Sequence, residues 1–204
     1  MSLPLLTGKL NDMPTTPSRE LLVTAAARLF YERGITSTGV DAVAQAAGLT
    51  KPTLYAHFPS KSALVVTVLQ QRHERLANEL QAWVGGIQDA RDRPLGVFSW
   101  LADWYGRGGQ RGCGFLNAAA ELADPQDAAR PVVRAEKKWL LDLLTRLCED
   151  AALSQPSRLG SQLLLLIDGV AGRVVVAGSD AASEAVADAT RVAALLIDAA
   201  GPSA

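Results

Sequence analysis

The chain has 204 residues, 49% apolar and 20% charged, a globular composition on a length that suits one domain or two small ones. Its longest aliphatic run, Leu163 to Ile167, is too short for a membrane span, the N-terminus lacks the basic-then-apolar order of a signal peptide, and Cys113 and Cys148 make no disulfide framework or metal spacing, so a reduced cytoplasmic protein with no membrane partner, metal or cofactor is expected. The net charge of −1 hides a split: residues 18–75 carry seven Lys or Arg against four acids, residues 76–204 twelve against sixteen, and residues 42–73 hold no Asp or Glu, so a polyanion is expected to meet only the front of the chain.

No run of alternating β-branched residues with hairpin turns occurs, and an all-α fold is predicted. Val174 to Val176 is the best strand candidate, yet it sits within Leu163–Ala177, whose length favours a buried helix. Residues 1–17, with Pro4, Pro14 and Pro17, read as a flexible N-terminal arm. Ser18 is placed to cap a helix from Arg19 to Arg33, with Leu21, Leu22, Ala25, Ala26, Leu29 and Phe30 on one wide apolar face and Gly34 at its end. Thr38-Gly39-Val40-Asp41 has the form of a capping box and opens a second helix through Val43 and Ala44, closed by Gly48. Thr50 caps a third helix, with Pro52 tolerated in its first turn and Leu54 and Phe58 facing inward. Pro59-Ser60 stops it and caps a long fourth helix through Leu64, Val68, Leu69, Leu76 and Leu80 to Gly85-Gly86. Further helices are predicted at 94–106, 115–123, 128–153, 157–178 and 183–200, with a five-glycine loop over 106–114.

Two short helices joined around Gly48 make a helix-turn-helix pattern, and the second exposes Lys51, Pro52, Thr53, Tyr55 and His57. Such a helix can enter a DNA major groove with small and hydrogen-bonding groups near bases and phosphates. Lys51 and Lys61 each lie in a helix first turn, where a cation opposes the macrodipole unless an anion is near. Tyr55 is open to a second reading as a core aromatic with its hydroxyl at the edge.

Residues 18–72 resemble the N-terminal DNA-binding domain of TetR-type transcriptional repressors. The resemblance rests on Ala25-Ala26-Ala27-Arg28-Leu29-Phe30, Gly34-Ile35-Thr36-Ser37-Thr38, Val43-Ala44-Gln45-Ala46-Ala47-Gly48-Leu49-Thr50-Lys51, Thr53-Leu54-Tyr55-Ala56-His57-Phe58 and Ser60-Lys61, in the family's order. Gly39 and Pro52 depart from the commoner residues at their positions. The resemblance implies a three-helix DNA-binding domain over 18–64 and a larger helical ligand-binding and dimerisation domain over 65–204. It implies DNA contacts by Thr38, Gly39, Thr50, Lys51, Pro52, Thr53, Tyr55, His57 and Lys61, the last on a phosphate. It also implies a homodimer through helices 157–178 and 183–200, with each head reading half of a near-palindromic operator.

The body holds seven of the eleven aromatic residues. Trp83, Phe98, Leu101, Trp104, Tyr105, Phe115 and Trp139 could line an apolar pocket for an unknown small-molecule effector, although ordinary bundle core explains the same spacing. Gly112 to Glu121 resembles a segment of one TetR-type subgroup, which brings Asn117 and Glu121 near that pocket. Asp168 and Arg173 are candidates for a pair across or within the dimer surface. The five-glycine loop lacks the Lys-Ser/Thr of a phosphate loop, and both histidines, His57 and His73, lie in the basic head, so an enzyme is not expected. A ligand-responsive repressor is therefore expected. The alternative is a regulator that senses oxidants through Cys113, its thiol activated by Arg107 and Arg111.

Overall fold

The computed structural model describes residues 17–109 and 111–201. The arm expected before the first helix lies outside the described residues up to residue 16, and Pro17 is already helical. Among the described residues there are nine α-helices and no strand: α1 (Pro17–Arg33), α2 (Val40–Ala46), α3 (Lys51–His57), α4 (Lys61–Gly85), α5 (Arg93–Gly106), α6 (Gly114–Glu121), α7 (Arg130–Asp150), α8 (Pro156–Ala177) and α9 (Ala182–Ala200).

The apolar spacing of the first three helices closes one core. Leu22, Ala26, Leu29, Val43, Leu54 and Leu64 are all buried, with Phe58 beside them. Leu21 was expected on the same face but is 51% exposed, because a helix of this pitch turns it past the edge of the contact. Two expected caps form: the Thr50 hydroxyl oxygen accepts from the Thr53 N–H at 3.3 Å, and that of Ser60 accepts from the Ala63 N–H at 3.1 Å. Each is worth about 1 kcal/mol.

Two others do not. Ser18 lies inside α1, which starts one residue earlier, so it caps nothing. Thr38 does not cap α2, whose N-cap is Gly39. At Gly34 φ is +94°, and the turn this allows carries Thr38 back under α1, where its hydroxyl donates to the Gly34 carbonyl at 2.7 Å. The threonine thus satisfies a carbonyl at the C-terminus of α1 instead of an N–H of α2.

The fourth helix is shared. Its first half, through Val65, Val68 and Leu69, packs in the head core, while Leu80 and Val84 belong to the body core with Val97, Phe98, Leu144, Leu163 and Val170. The division expected after residue 64 therefore falls inside a continuous helix. Phe115 and Ala118 of α6 and Val133 of α7 also pack in the head core. The glycine-rich loop is shorter than expected, since Gly106 ends α5 and Gly114 begins α6. The Val174–Val176 stretch is helical, within α8. That helix is long and apolar enough to cross a membrane by length and composition alone, but it packs between α7 and α9.

Candidate nucleic-acid interface and inner cavity

Leu54 and Phe58 anchor α3 by one side and leave the other outward. Lys51, Pro52 and Tyr55 are exposed there, and Thr53 and His57 are half-buried. Tyr55, at 46% exposure, is a surface side chain and not a core aromatic. Gly39 and Thr50 are exposed at the starts of α2 and α3, and Lys61 is half-buried at the start of α4. Burial pulls the Lys61 ammonium below the usual lysine range. Thr38 leaves this set, because it is 2% exposed with its hydroxyl already bonded inside α1.

Lys51 is not a free cation. Its Nζ donates to Asp41 Oδ2 at 3.0 Å, and that bond raises the lysine further. The stretch 42–73 contains no acid in sequence, but the turn at Gly48 folds the acid just before it onto the first residue of α3. Both partners are solvated, so the pair is weak and a phosphate can replace the carboxylate.

A set of long-range bonds ties this head to the loop before α6. The Tyr31 hydroxyl donates to the Gly112 carbonyl at 3.1 Å and accepts from the Arg111 N–H at 3.0 Å. The Arg111 guanidinium donates to the Tyr31 carbonyl at 2.9 Å. Glu121, at the end of α6, accepts from the Thr36 N–H at 2.8 Å. Asn117 donates to the Arg111 carbonyl at 2.7 Å. Asn117 and Glu121 therefore line the groove between α1, α4 and α6, not the aromatic pocket.

The body holds an inner cavity of about 70 Å³. Leu101, Trp104, Tyr105, Phe115 and Trp139 line it, as does Trp100. Phe98 is fully buried in the body core and faces a separate groove toward α9, and Trp83 is 40% exposed away from the cavity. Sequence reasoning missed the cavity's polar residues: Arg72 on α4, Glu136 and Lys137 on α7, and Asp168 on α8. No local pattern marks them, since three helices bring them together. Lys137 Nζ donates to Asp168 Oδ1 at 2.7 Å, so Asp168 pairs there and not with Arg173, which instead reaches Asp188 at 3.0 Å. The Arg72 guanidinium carbon lies 4.5 Å from the Tyr31 ring centroid. Burial pushes the Glu136 carboxyl up, with Lys137 pulling the other way. Burial likewise pushes the Cys113 thiol up, opposite to the activation expected from flanking arginines.

Residues 22–68 match the family model described as bacterial regulatory proteins, tetR family. The transcriptional activator FasR of Mycolicibacterium smegmatis is 30% identical over 138 residues, 67% of this chain and 63% of FasR, so the match spans less than two thirds of that relative. A TetR-family transcriptional regulator from Streptomyces coelicolor superposes with a TM-score of 0.81 at 29% identity, over 90% of this chain and 95% of that one. Escherichia coli NemR in its reduced form superposes at 0.76 with 21% identity, over 88% of this chain and 96% of its own, a likeness of fold. The matching head, the outward α3 and the fold shared along nearly the whole chain make one conclusion: the chain belongs to the TetR family of bacterial regulatory proteins.

Proposed function

We propose that the chain is a homodimeric transcriptional regulator of the cytoplasm that binds a near-palindromic operator through α3 and is released by a small molecule held in the inner cavity. The observation that carries the reading is α3 itself, fixed by Leu54 and Phe58 while Lys51, Pro52 and Tyr55 stand outward. Of the residues expected at DNA, Gly39, Thr50, Lys51, Pro52, Thr53, Tyr55, His57 and Lys61 keep an exposed or half-exposed position. Lys51, Lys61 and Tyr55 suit phosphate oxygens, which position without specifying, and Pro52 and Thr53 suit a thymine methyl.

A second copy of the chain is the proposed partner of α8 and α9. These two helices leave Leu165, Val175, Val176, Val192 and Leu195 open, with Val176 89% and Leu165 and Leu195 each 69% exposed. An apolar face of that kind on the two helices calls for cover, and a twofold interface would set two α3 helices against successive turns of one duplex. An effector that prefers a different head spacing would lower DNA affinity by its differential affinity for the two states. Repression is the reading preferred here, with no catalytic residues assigned.

The competing reading, an oxidant sensor working through Cys113, draws on the likeness to NemR. Against it stands a thiol that burial keeps protonated. A Cys113→Ser variant that still leaves DNA on peroxide treatment would end that reading.

The main test is duplex binding by the purified chain as a function of salt, with sedimentation velocity alongside. A dimer with salt-sensitive affinity is expected, and Lys51→Ala and Lys61→Ala should each reduce the salt slope by about one. A monomer with no affinity for any duplex overturns the reading.

A further inference from the structure

Three residues that line the inner cavity carry polar atoms that no described residue answers. Trp100 Nε1, Arg72 Nε and Glu136 Oε2 are buried without a hydrogen-bond partner. Trp100 is 8% exposed and Glu136 9%. A buried donor left unpaired is costly, so its persistence at a cavity wall marks a place that another molecule can complete.

The charges around the cavity give that molecule a sign. Lys137 is matched by Asp168 at 2.7 Å. Glu136 Oε2 lies 3.9 Å from Lys137 Nζ and makes no hydrogen bond. Arg72 rests on the faces of Tyr31 and Trp104, with its guanidinium carbon 4.5 and 5.9 Å from their centroids, and its charge reaches the Glu136 carboxyl without a close ion pair among the described residues. It is also pressed against the first turn of α6. A Cβ on Gly114 would lie 2.9 Å from Arg72 Nε, so the missing side chain there makes the room the guanidinium occupies. A cation beside a helix N-terminus is unfavourable on its own and favourable once an anion is shared between them. The remaining wall is apolar, from Leu76, Leu80, Trp104, Trp139 and Ile167.

We infer that the inner cavity takes a small carboxylate with an apolar body, its oxygens accepting from Arg72 Nε and Trp100 Nε1 while the body lies among the aromatic rings. Burial pushes the Glu136 carboxyl up, which lessens its opposition to an anion beside it. The available volume, about 70 Å³, is below the roughly 150 Å³ that houses benzene, which limits the ligand to a few carbons or to a single ring admitted by a shift of the wall. This names the chemical class of the effector and rests on the proposed effector role of the cavity.

The test uses the full-length chain and two pairs of shape-matched probes, butyrate with butyramide and benzoate with benzamide, plus benzylamine as the cation. Trp100, Trp104 and Trp139 line the cavity, so tryptophan emission reports occupancy, and calorimetry gives affinities. At least one carboxylate is expected to change the emission and to bind about tenfold or more tightly than its amide, the ratio expected for a charge-assisted bond. Arg72→Met should cut that ratio to under about threefold. Trp100→Phe, which keeps the ring and drops the donor, serves as the second variant should Arg72→Met lose its helical circular dichroism. Amides or benzylamine binding as tightly as the carboxylates, no carboxylate altering the emission at millimolar concentration, or both variants keeping the full ratio would each overturn the inference. Duplex binding measured without probe separates the two levels: intact DNA affinity with no carboxylate preference sinks the ligand class alone, whereas loss of DNA binding in the wild-type chain sinks the regulator.

Discussion

In the head, the buried Thr38 hydroxyl donates to Gly34, that of Thr67 donates to Ala63 at 3.1 Å, and those of Thr50 and Ser60 cap the two following helices. In the body, three polar atoms around one cavity are buried with no partner. An unpaired buried group costs on the order of 1–3 kcal/mol, and of the four such atoms among the described residues only Arg130 Nε, at the start of α7, lies apart from this cavity. The contrast separates two tasks. The head must hold α3 at a fixed angle, and every satisfied bond there narrows its motion. The body holds unanswered groups next to a void, which is the arrangement the proposed effector site needs.

The contrast can be tested where the two regions meet. Phe115 sits in the head core although it belongs to α6 and also lines the cavity. Phe115→Ala should cost about 3–5 kcal/mol in urea denaturation, and Leu54→Ala, confined to the head, about 2–5 kcal/mol. Equal losses of DNA affinity at equal stability would contradict the separate roles, since only the Phe115 variant should also change tryptophan emission.

A smaller effect is expected at Gly114. Alanine there would set a Cβ 2.9 Å from Arg72 Nε, and Gly114→Ala should destabilise by about 1–3 kcal/mol with a changed environment for Trp104, read by near-ultraviolet circular dichroism. Glu121→Ala removes the acceptor of the Thr36 N–H and should cost about 1 kcal/mol, measured as a shift of the urea midpoint.

The pH response distinguishes the regions without changing their shape. Burial holds Glu136 above its ordinary value of 4.5, with Asp168 raising it further and Lys137 and Arg72 opposing. The folded state therefore binds that proton more tightly than the unfolded chain does. The associated stability is full below 4.5 and lost as pH rises through the raised value. Glu136→Gln should flatten that part of the melting-temperature profile above pH 4.5, seen as a wild-type-minus-variant difference. The smallest effect belongs to the surface of the head. Asp41→Ala frees Lys51 and should tighten duplex binding a few-fold at low salt, with the gain fading as salt rises.

The amino-acid sequence by itself determined the helices and most of their ends, because caps, turn glycines and apolar spacing act within a few residues. Thr50, Ser60, Gly34 and Gly48 illustrate this, and the order of motifs in the head carried the family. Thr38 went the other way, since the same hydroxyl can serve the helix before it or the helix after it, and the turn at Gly34 decides. Only the tertiary structure set Lys51 against Asp41, Tyr31 against the loop at Gly112, and Arg72, Trp100, Glu136 and Asp168 around one cavity. Those residues come from separate helices, and their meeting depends on how the helices cross, which no local spacing encodes.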